Sequence, residues 1–328
     1  MPVTPKPQHI LISRTDAIGD VVLTLPVAAY LKELLSGCKV SFLGRNYTGP
    51  VINTCTAVDE FISYDNIKAM PRQDQLAYIK SKQFDTIIHV FPNKHIAGLA
   101  KKAGIPLRVG TTNRLYHWLT CNETVKLSRK NSDLHEAQLN LALLRPFGYK
   151  GGASLNDLIQ HYKFSDTNHL PERFKEYLPA DRFNLIIHPK SHGSGMEWGL
   201  NNFAKLIDLL PADKFNVIIS GSNKERELLF PWIATLPGHV IDLTGQMSLT
   251  EFISFIFNAG GLIASGTGPL HIAAASGIHT LGLFPSLKPI HAGRWAPLGE
   301  QAEFLESGTE TIDTITVDNV FNTIDTWI

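Results

Sequence analysis

Short apolar runs alternate with amphipathic stretches along nearly the whole chain, and few folds accommodate such an alternation. The predicted strands, each short and apolar, are 10–12, 40–43, 86–91, 185–188, 217–220, 262–264 and 280–284. The predicted helices, which have the spacing of one apolar face, include 27–35, 202–210 and 249–257. Because strands that alternate with helices build parallel sheets covered by helices, the sequence predicts an α/β protein.

A change in composition near the middle divides the chain. Residues 151–183 are rich in polar residues, glycine and proline, and a new strand follows them, so we place the two domains at 1–165 and 166–328. Each half opens with an apolar strand that runs into a loop containing glycine. We therefore expect two Rossmann-like domains facing across a cleft, with ligands at the carboxyl ends of the strands. It stays open whether the last helix packs back on the N-terminal domain.

Charge and cysteine usage exclude several classes of protein. Lys plus Arg and Asp plus Glu are both 30 in 328 residues, so the net charge is zero and general binding to nucleic acid is not expected. The cysteines, Cys38, Cys55 and Cys121, are odd in number and far apart, which is typical of free thiols in a reducing cytosol. No run has the length and composition of a signal peptide or membrane span.

The segment 265–271, SGTGPLH, carries the clearest functional signal. It follows an apolar run and reads as a strand, a glycine turn and the start of a helix, with Pro269 in the first turn and Gly277 at the stop. The first amides of a helix have no partner within it, and the helix dipole is positive there, so this start can bind a phosphate. A nucleotide or sugar nucleotide is the ligand this pattern favours.

Asp20 and His271 are the candidate chemical groups. Asp20 follows the first strand near a helix start, where it is either an N-cap or a general base that accepts the proton of an attacking hydroxyl. A helix N-terminus would keep such a base ionised at neutral pH. His271 falls in the first helical turn, where it either contacts a bound diphosphate or is satisfied by a neighbouring carbonyl.

Other sites are poorly supported by the sequence. His188 and His192 have the spacing i, i+4, but Pro189 and Gly193 make a helical metal site improbable, and no metal is expected. The dinucleotide fingerprint and the phosphate-loop motif are both missing, and neither Ser220 nor Ser265 has the context of a hydrolase nucleophile.

Positive charge is concentrated in the first half. The residues that contribute are Lys94, His95, Lys101, Lys102, Arg108, Arg114, His117, Arg129 and Lys130. They form either a solvated face or a local surface for an anionic acceptor at a membrane. Leu115, Tyr116 and Trp118 lie among them and either pack on lipid or fill the core.

Four segments, in this order, resemble the glycosyltransferase family 9 heptosyltransferases over nearly the whole chain. The segments are residues 14–26 (RTDAIGDVVLTLP), Glu197-Trp198, Ser220-Gly221 with Glu225, and residues 267–271 (TGPLH). The resemblance implies the GT-B architecture and an inverting, metal-independent transfer of a heptose or related sugar. The donor would be a nucleoside diphosphate sugar such as ADP-heptose, and the acceptor a lipid-linked anionic glycan such as the lipopolysaccharide inner core, at the cytoplasmic face of the inner membrane.

The resemblance also implies roles for individual residues. Asp20 would be the catalytic base in an acceptor-binding N-terminal domain, and the C-terminal domain would bind the donor. The donor-binding residues would be Lys190, Ser191, Met196, Gly221, Glu225, Gly266, Thr267, Gly268 and His271. The acceptor-binding residues would be Arg14, Lys94 and His95. No cofactor or nucleic acid is implied.

Two positions depart from the family pattern. Met196 stands where many heptosyltransferases have a lysine that contacts the donor, and Gly266 stands where many have an aspartate. Neither side chain can replace the polar contact, although Lys190, Ser191 or Ser194 could compensate. We therefore keep two alternatives, a sugar-nucleotide or glycan binding protein with a degenerate donor pocket, and a sugar-nucleotide epimerase that turns over without an acceptor.

Overall fold

The computed structural model describes residues 7–129, 132–191 and 193–328, and these form two compact units that divide between Ser165 and Asp166. Each unit has its own sheet and its own apolar core. Among the described residues, no helix is both long and apolar enough to cross a bilayer. The three cysteines are free thiols, as expected.

The first unit is built on a six-stranded parallel sheet. Its strands, in spatial order, are β3 (Glu60–Ser63), β2 (Lys39–Gly44), β1 (His9–Ser13), β4 (Thr86–His89), β5 (Leu107–Thr111) and β6 (Glu123–Val125). Its α-helices are α1 (Ile18–Val22), α2 (Pro26–Leu34), α3 (Gly49–Ile52), α4 (Tyr64–Ala69), α5 (Arg72–Ser81), α6 (Lys94–Ala103), α7 (Leu115–Thr120), α8 (Glu136–Leu141) and α9 (Leu155–Gln160). Two short 3₁₀ segments lie at Asn46–Thr48 and Ala142–Phe147.

The second unit repeats the design with another six-stranded parallel sheet. Its strands, in spatial order, are β12 (Ala302–Glu306), β11 (His279–Phe284), β10 (Gly261–Ser265), β7 (Phe183–His188), β8 (Phe215–Ile219) and β9 (Ile241–Asp242). Its helices are α10 (Glu172–Lys175), α11 (Leu200–Leu209), α12 (Asn223–Ile233), α13 (Leu249–Phe257), α14 (Gly268–Ser276), α15 (Ala292–Trp295) and α16 (Val317–Asp325). In α16, Val320 and Ile324 join the core of this second unit.

Both sheets have the strand order of the doubly wound Rossmann fold, in which the succession of strands across the sheet reverses between the first and fourth strands. In the first unit the reversal lies between β1 and β4, and in the second it lies between β7 and β10. Ligands of such sheets bind outside the carboxyl ends of the strands at this switch point. The two switch points are therefore where each unit is expected to bind.

Hydrogen bonds join the loops at the first switch point. Ser13, the last residue of β1, accepts hydrogen bonds from the amides of Val90 and Phe91, which follow β4. On the other side, the Arg14 amide donates to the Leu43 carbonyl of β2, at 3.0 Å. The residues just beyond β1 are consequently held between the ends of its two neighbours.

The predicted strands and helices are all present. Most of the strands that the sequence did not predict lie towards the edges of the sheets. The central strands were predictable because both faces are buried, as in β1, where four of five residues are buried. Strands β3, β5, β6, β9 and β12 were not predicted. These are short or carry polar residues, so an apolar run does not mark them.

Candidate functional site

Arg14 organises the loop that follows β1. Its side chain is only 3% exposed, and every guanidinium nitrogen has an acceptor. Nε donates to Asp16 at 2.8 Å, Nη1 donates to Glu136 at 3.2 Å and to Asn140 at 3.1 Å, and Nη2 donates to Asp20. A buried cation with three carboxylate partners fixes the position of all three.

A second arginine connects this cluster to the loop after β4. Arg129 Nε donates to Glu136 at 2.9 Å, and its Nη2 donates to Asn140 at 3.2 Å and to the Val90 carbonyl at 3.4 Å. Asn140 in turn donates to the Leu23 carbonyl at 3.1 Å. The cluster thus contains two guanidinium groups and three carboxylates, which leaves one formal negative charge in excess.

Asp20 is the carboxylate of this cluster that combines partial exposure with a strong electrostatic perturbation. Its side chain is 21% exposed. Burial raises the pKa of Asp20 to about 6; Arg14 opposes the rise, and Asp16 and Glu136 add to it. The group is therefore mostly ionised at neutral pH but is a much better proton acceptor than an ordinary aspartate.

The structure corrects two expectations about Asp20. It is not an N-cap, because Ala17 occupies that position of α1 and Asp20 is the third residue of the helix. The helix dipole also does not dominate its titration, since α1 has five residues and burial raises the pKa instead of lowering it.

Lys94 and His95 begin α6, at the carboxyl end of β4. Both residues are exposed. The His95 ring contacts the Tyr64 hydroxyl at 3.2 Å and Gln75 Oε1 at 2.9 Å, while Lys94 extends from the first turn. They lie at the edge of the sheet where an acceptor was expected.

The predicted basic surface is only partly a surface. His117 is completely buried and contacts Thr111, and Arg129 belongs to the Arg14 cluster, so including both in a solvated face was wrong. Lys101 and Arg108 donate to the carbonyls of Leu119 and Thr120. The exposed members that remain are Lys94, His95, Lys101, Lys102 and Arg114, and Lys130 lies outside the described residues.

The glycine turn of the second unit has the predicted form. β10 ends at Ser265, α14 begins at Gly268 with Pro269 in its first turn, and Gly277 ends the helix with a φ of 84°. Thr267 is the N-cap, but its side chain caps no amide. The hydroxyls of Thr267 and Ser265 are buried and have no hydrogen-bond partner among the residues that the structure describes.

Those hydroxyls make the start of α14 an incomplete polar site. A buried hydroxyl without a partner costs free energy, so a ligand that forms hydrogen bonds with these two hydroxyls would offset that cost. His271 lies one turn further along and is 3% exposed. Free helix amides, unpaired hydroxyls and a nearby imidazole together suit an anion such as a diphosphate.

A tightly held loop borders this turn. Glu197 accepts hydrogen bonds from Lys190 Nζ at 2.5 Å and from the Ser191 amide at 3.0 Å, and Ser194 Oγ donates to the Gly266 carbonyl at 3.0 Å. Burial raises the pKa of Glu197, but hydrogen bonds from Lys190 and Ser191 outweigh burial, so the pKa is lowered overall. The loop is thereby kept against the turn before α14.

The two positions that depart from the family pattern, Met196 and Gly266, lie in closely packed surroundings. A Cβ at Gly195 would lie 2.9 Å from the Gly266 carbonyl oxygen, so the two backbones are in direct contact. A Cβ at Gly266 would lie 3.0 Å from the Phe284 ring, which leaves little room for a larger side chain. Met196 packs against the apolar core of the unit instead of presenting a polar group.

Gly221 and Glu225 lie at the carboxyl end of β8. Glu225 is 2% exposed and forms a capping box with Ser222, whose amide donates to Glu225 Oε2 at 2.6 Å. A Cβ at Gly221 would approach Glu225 and Thr244 to 3.3 Å. The geometry gives Glu225 a structural role at the start of α12, and its part in donor binding stays a prediction.

No metal centre is evident in the described ranges, where no three His, Cys, Asp or Glu side chains are grouped to hold an ion. His188 contacts Ser220 Oγ at 3.0 Å and lies 3.8 Å from Glu225. His192 lies outside the described residues, so the predicted lack of a site formed with His188 stays a prediction.

Sequence reasoning missed the partners of Arg14. Asp16, Glu136 and Asn140 hold or perturb the catalytic candidate, and none was singled out. Asp16 belongs to the recognised motif, and its closeness to Arg14 was a usable signal. Glu136 and Asn140 are 122 and 126 residues away from Arg14, and no local pattern marks them.

Comparison with known proteins gives a consistent result. A sequence model of glycosyltransferase family 9 (heptosyltransferase) matches residues 76–321. A Haemophilus influenzae protein described as a glycosyltransferase is 27% identical over 98% of this chain and 97% of its own. The lipopolysaccharide core heptosyltransferase OpsX of the same organism is 22% identical over 94% of this chain and 87% of its own.

The solved structures support the same architecture. The ADP-heptose lps heptosyltransferase II of E. coli superposes with a TM-score of 0.76 at 19% identity, covering 98% of each chain. At that identity the likeness shows the fold alone. The prediction of an α/β protein of the GT-B class with two Rossmann-like units is confirmed.

Proposed function

Because this chain belongs to glycosyltransferase family 9, the heptosyltransferases, we propose that it transfers a heptose or a related sugar from a nucleoside diphosphate to a surface-glycan acceptor. The reaction we propose is a direct displacement that inverts the anomeric carbon and needs no metal ion or cofactor. That the chain is a glycosyltransferase follows from its family; the donor, the acceptor and the mechanism are the proposal.

The proposed mechanism rests on the environment of Asp20. A hydroxyl attacks an anomeric carbon only as it loses its proton, and a positioned carboxylate can accept that proton. Asp20 is partly exposed, is held by Arg14, and has a pKa raised to about 6 by burial. It therefore combines ionisation at neutral pH with increased basicity, which is the balance a general base requires.

Arg14 has a positioning role in this proposal. Its guanidinium is buried and all its nitrogens are bound, so it acts on the acceptor through Asp20 and not by direct contact. Lys94 and His95, which are exposed at the carboxyl end of β4, are the candidates for direct acceptor binding.

The start of α14 would hold the leaving group. As the bond to the donor phosphate breaks, negative charge develops on the nucleoside diphosphate, and donors already aimed at that position stabilise it. The backbone amides of Gly268 and Leu270, the hydroxyls of Ser265 and Thr267 and the imidazole of His271 are the groups available. Pro269 interrupts the row without cost, since an amide there would have no helical partner.

ADP-heptose is the donor we propose, and the lipopolysaccharide inner core or a related glycan is the acceptor. The support is the name of the similar E. coli structure and that of the similar core heptosyltransferase. A related sugar is proposed as well, because Met196 and Gly266 stand where many family members have a lysine and an aspartate. Such an acceptor places the enzyme in the cytoplasm, at the inner face of the membrane.

Mass spectrometry of the products tests the proposal. The purified chain is incubated with ADP-heptose, other nucleoside diphosphate sugars and an inner-core acceptor extract, with and without EDTA. We expect a mass increase of one heptose on the acceptor, the inverted anomer, and the same rate in EDTA.

The alternatives give different products. Nucleotide binding without any transfer would identify a binding protein, and conversion of the sugar nucleotide without acceptor would identify an epimerase. Loss of transfer in EDTA would contradict the metal-independent mechanism and leave the sugar assignment intact.

A further inference from the structure

Helix α7 of the first unit is amphipathic, but its apolar face is exposed, whereas the surface helices of globular proteins bury theirs. Leu115, Trp118 and Leu119 have the spacing i, i+3, i+4 that normally faces the core, yet they are 87%, 64% and 72% exposed. The inward side of the helix carries His117, which is completely buried. The apolar face of α7 therefore points to solvent.

Single exposed apolar residues are ordinary, but three on one helix face are a mark of an interaction surface. The helix is also held firmly in this orientation. His117 contacts both the amide and the carbonyl of Thr111 at 3.0 Å, and a Cβ at Gly110 would lie 2.7 Å from Cys121 and His117. Close packing against β5 thus prevents the helix from turning its apolar face inward.

The segment that contains α7 carries charges of one sign. From residue 86 to residue 122 the sequence contains no Asp or Glu, although the chain as a whole is neutral. The basic residues of this segment are Lys94, Lys101, Lys102, Arg108 and Arg114. Lys101 donates to the Leu119 carbonyl and Arg108 to the Thr120 carbonyl, each at 2.7 Å, so positive charge is built into the end of the helix.

We propose that the outward face of α7, defined by Leu115, Trp118 and Leu119 with Lys102 and Arg114, docks on the surface of an anionic lipid bilayer. Aliphatic and indole groups that enter the headgroup region, flanked by basic groups that meet anionic lipids, are the combination that binds such an interface. A second copy of this chain would bring the same positive charges together, which disfavours self-association through this face. This inference rests on the proposed function in one respect: a lipid-linked acceptor is the reason why the protein would need to bind a bilayer.

Co-sedimentation with vesicles tests the docking surface without donor or acceptor, so a failure here is distinct from a failure of sugar transfer. The purified chain should bind vesicles of phosphatidylglycerol and phosphatidylethanolamine. The variant Trp118→Ser/Leu119→Ser should bind at least about tenfold more weakly, since it removes most of the apolar face. The matched control is Leu228→Ser/Phe230→Ser on α12, where the side chains are 64% and 62% exposed and the helix carries charges of both signs, Lys224, Arg226 and Glu227 among them.

A second pair of substitutions tests the charge. Lys102 and Arg114 are exposed and enter no ion pair in the described part of the chain. Each basic residue near an anionic membrane contributes about fivefold to binding, so Lys102→Gln/Arg114→Gln should weaken it about 25-fold. Added salt should weaken the binding of the unmodified chain and have less effect on this variant.

Tryptophan fluorescence locates the contact. Vesicles should shift the emission of the unmodified chain to shorter wavelength, and Trp118→Phe should sediment equally well while losing most of the shift. This conservative variant keeps the test decisive if the serine variant does not fold.

Three results would overturn the proposal. They are equal binding by the serine variant and the α12 control, unchanged binding by the charge variant, and a concentration-dependent dimer of the unmodified chain that Trp118→Ser/Leu119→Ser abolishes.

Discussion

The two units have the same strand order but opposite chemistry at their switch points. Beyond β1, Arg14 and Arg129 meet Asp16, Asp20 and Glu136 in one cluster of full charges. Beyond β10, the groups at the start of α14 are amides, the hydroxyls of Ser265 and Thr267 and the His271 imidazole, with no carboxylate on the turn itself. One scaffold thus supports a charged centre with a perturbed carboxylate in one unit and a centre without a carboxylate, here termed the neutral centre, in the other.

The difference agrees with what each half of the proposed displacement requires. A base must change its protonation state during the reaction, so its pKa has to be adjusted; for Asp20, burial raises the pKa, Arg14 opposes the rise, and Asp16 and Glu136 add to it. A leaving diphosphate is already anionic, so it needs donors whose orientation does not change, and a helix start supplies them. The comparison predicts that substitutions in one unit affect proton transfer and substitutions in the other affect nucleotide binding.

Asp20→Asn is expected to have the largest effect. The amide is nearly isosteric and can still accept from Arg14, but it cannot take up the acceptor proton at neutral pH. We expect the transfer rate to fall by about 10²- to 10⁴-fold. Calorimetry should show unchanged affinity for ADP, since the proposed nucleotide site belongs to the other unit.

The control for this substitution is Asp59→Asn. Asp59 is also a first-unit carboxylate paired with a cation, Lys32 at 2.7 Å, but it is not part of the Arg14 cluster. Its removal should leave transfer within about twofold, as expected for an exposed ion pair. Full activity of Asp20→Asn would show that the proton is accepted elsewhere.

Thr267→Val tests the neutral centre and should have an intermediate effect. If the hydroxyl binds the donor diphosphate, its loss removes a charge-assisted hydrogen bond and should weaken ADP binding by about 10- to 100-fold. Thermal stability should be unchanged or slightly higher, because the buried hydroxyl has no protein partner in the described structure. A loss of stability with unchanged ADP affinity would instead indicate a purely structural hydroxyl.

The charged and neutral centres differ in how far the sequence predicts them. The glycine turn was predictable because every signal in it is local: an apolar strand, Gly266 and Gly268, Pro269 in the first turn and Gly277 at the stop. The same reasoning found the central strands, whose two buried faces make them continuously apolar. It did not find β12, where intermediate and exposed positions include two glutamates.

Apart from Asp20 and the neighbouring Asp16, the charged centre was not predictable. Arg14 was expected to bind the acceptor, but its long-range pairing with Glu136 buries it. The sequence allows Asp20 to be an N-cap, because it cannot show that the carboxylate of Asp20 accepts a hydrogen bond from Arg14. Sequence patterns report contacts within a few residues, whereas burial and charge pairing across more than 100 residues determine a pKa.

The pH dependence of transfer provides the finest test of the comparison. With a pKa of about 6 for Asp20, the acceptor kcat/KM should be nearly constant above pH 7 and fall about tenfold per unit well below pH 6. ADP affinity should not follow this profile if the second unit binds through neutral groups. A parallel loss of both would show that the nucleotide site titrates too.

Asp16→Asn should move the acid limb of the activity profile to lower pH. Asp16 raises the pKa of Asp20 by charge repulsion, and an asparagine keeps an acceptor for Arg14 while removing that charge.

The same substitution should change how the free energy of unfolding depends on pH. Since folding raises the pKa of Asp20 above its ordinary value, Asp20 favours the folded state at low pH and loses that contribution as the pH rises through about 6. Asp16→Asn should therefore reduce this loss, because repulsion is weaker when Asp20 ionises. Denaturant unfolding at pH 5 and pH 8 measures the change, and an acid limb that stays in place would mean that Asp20 is not the group observed.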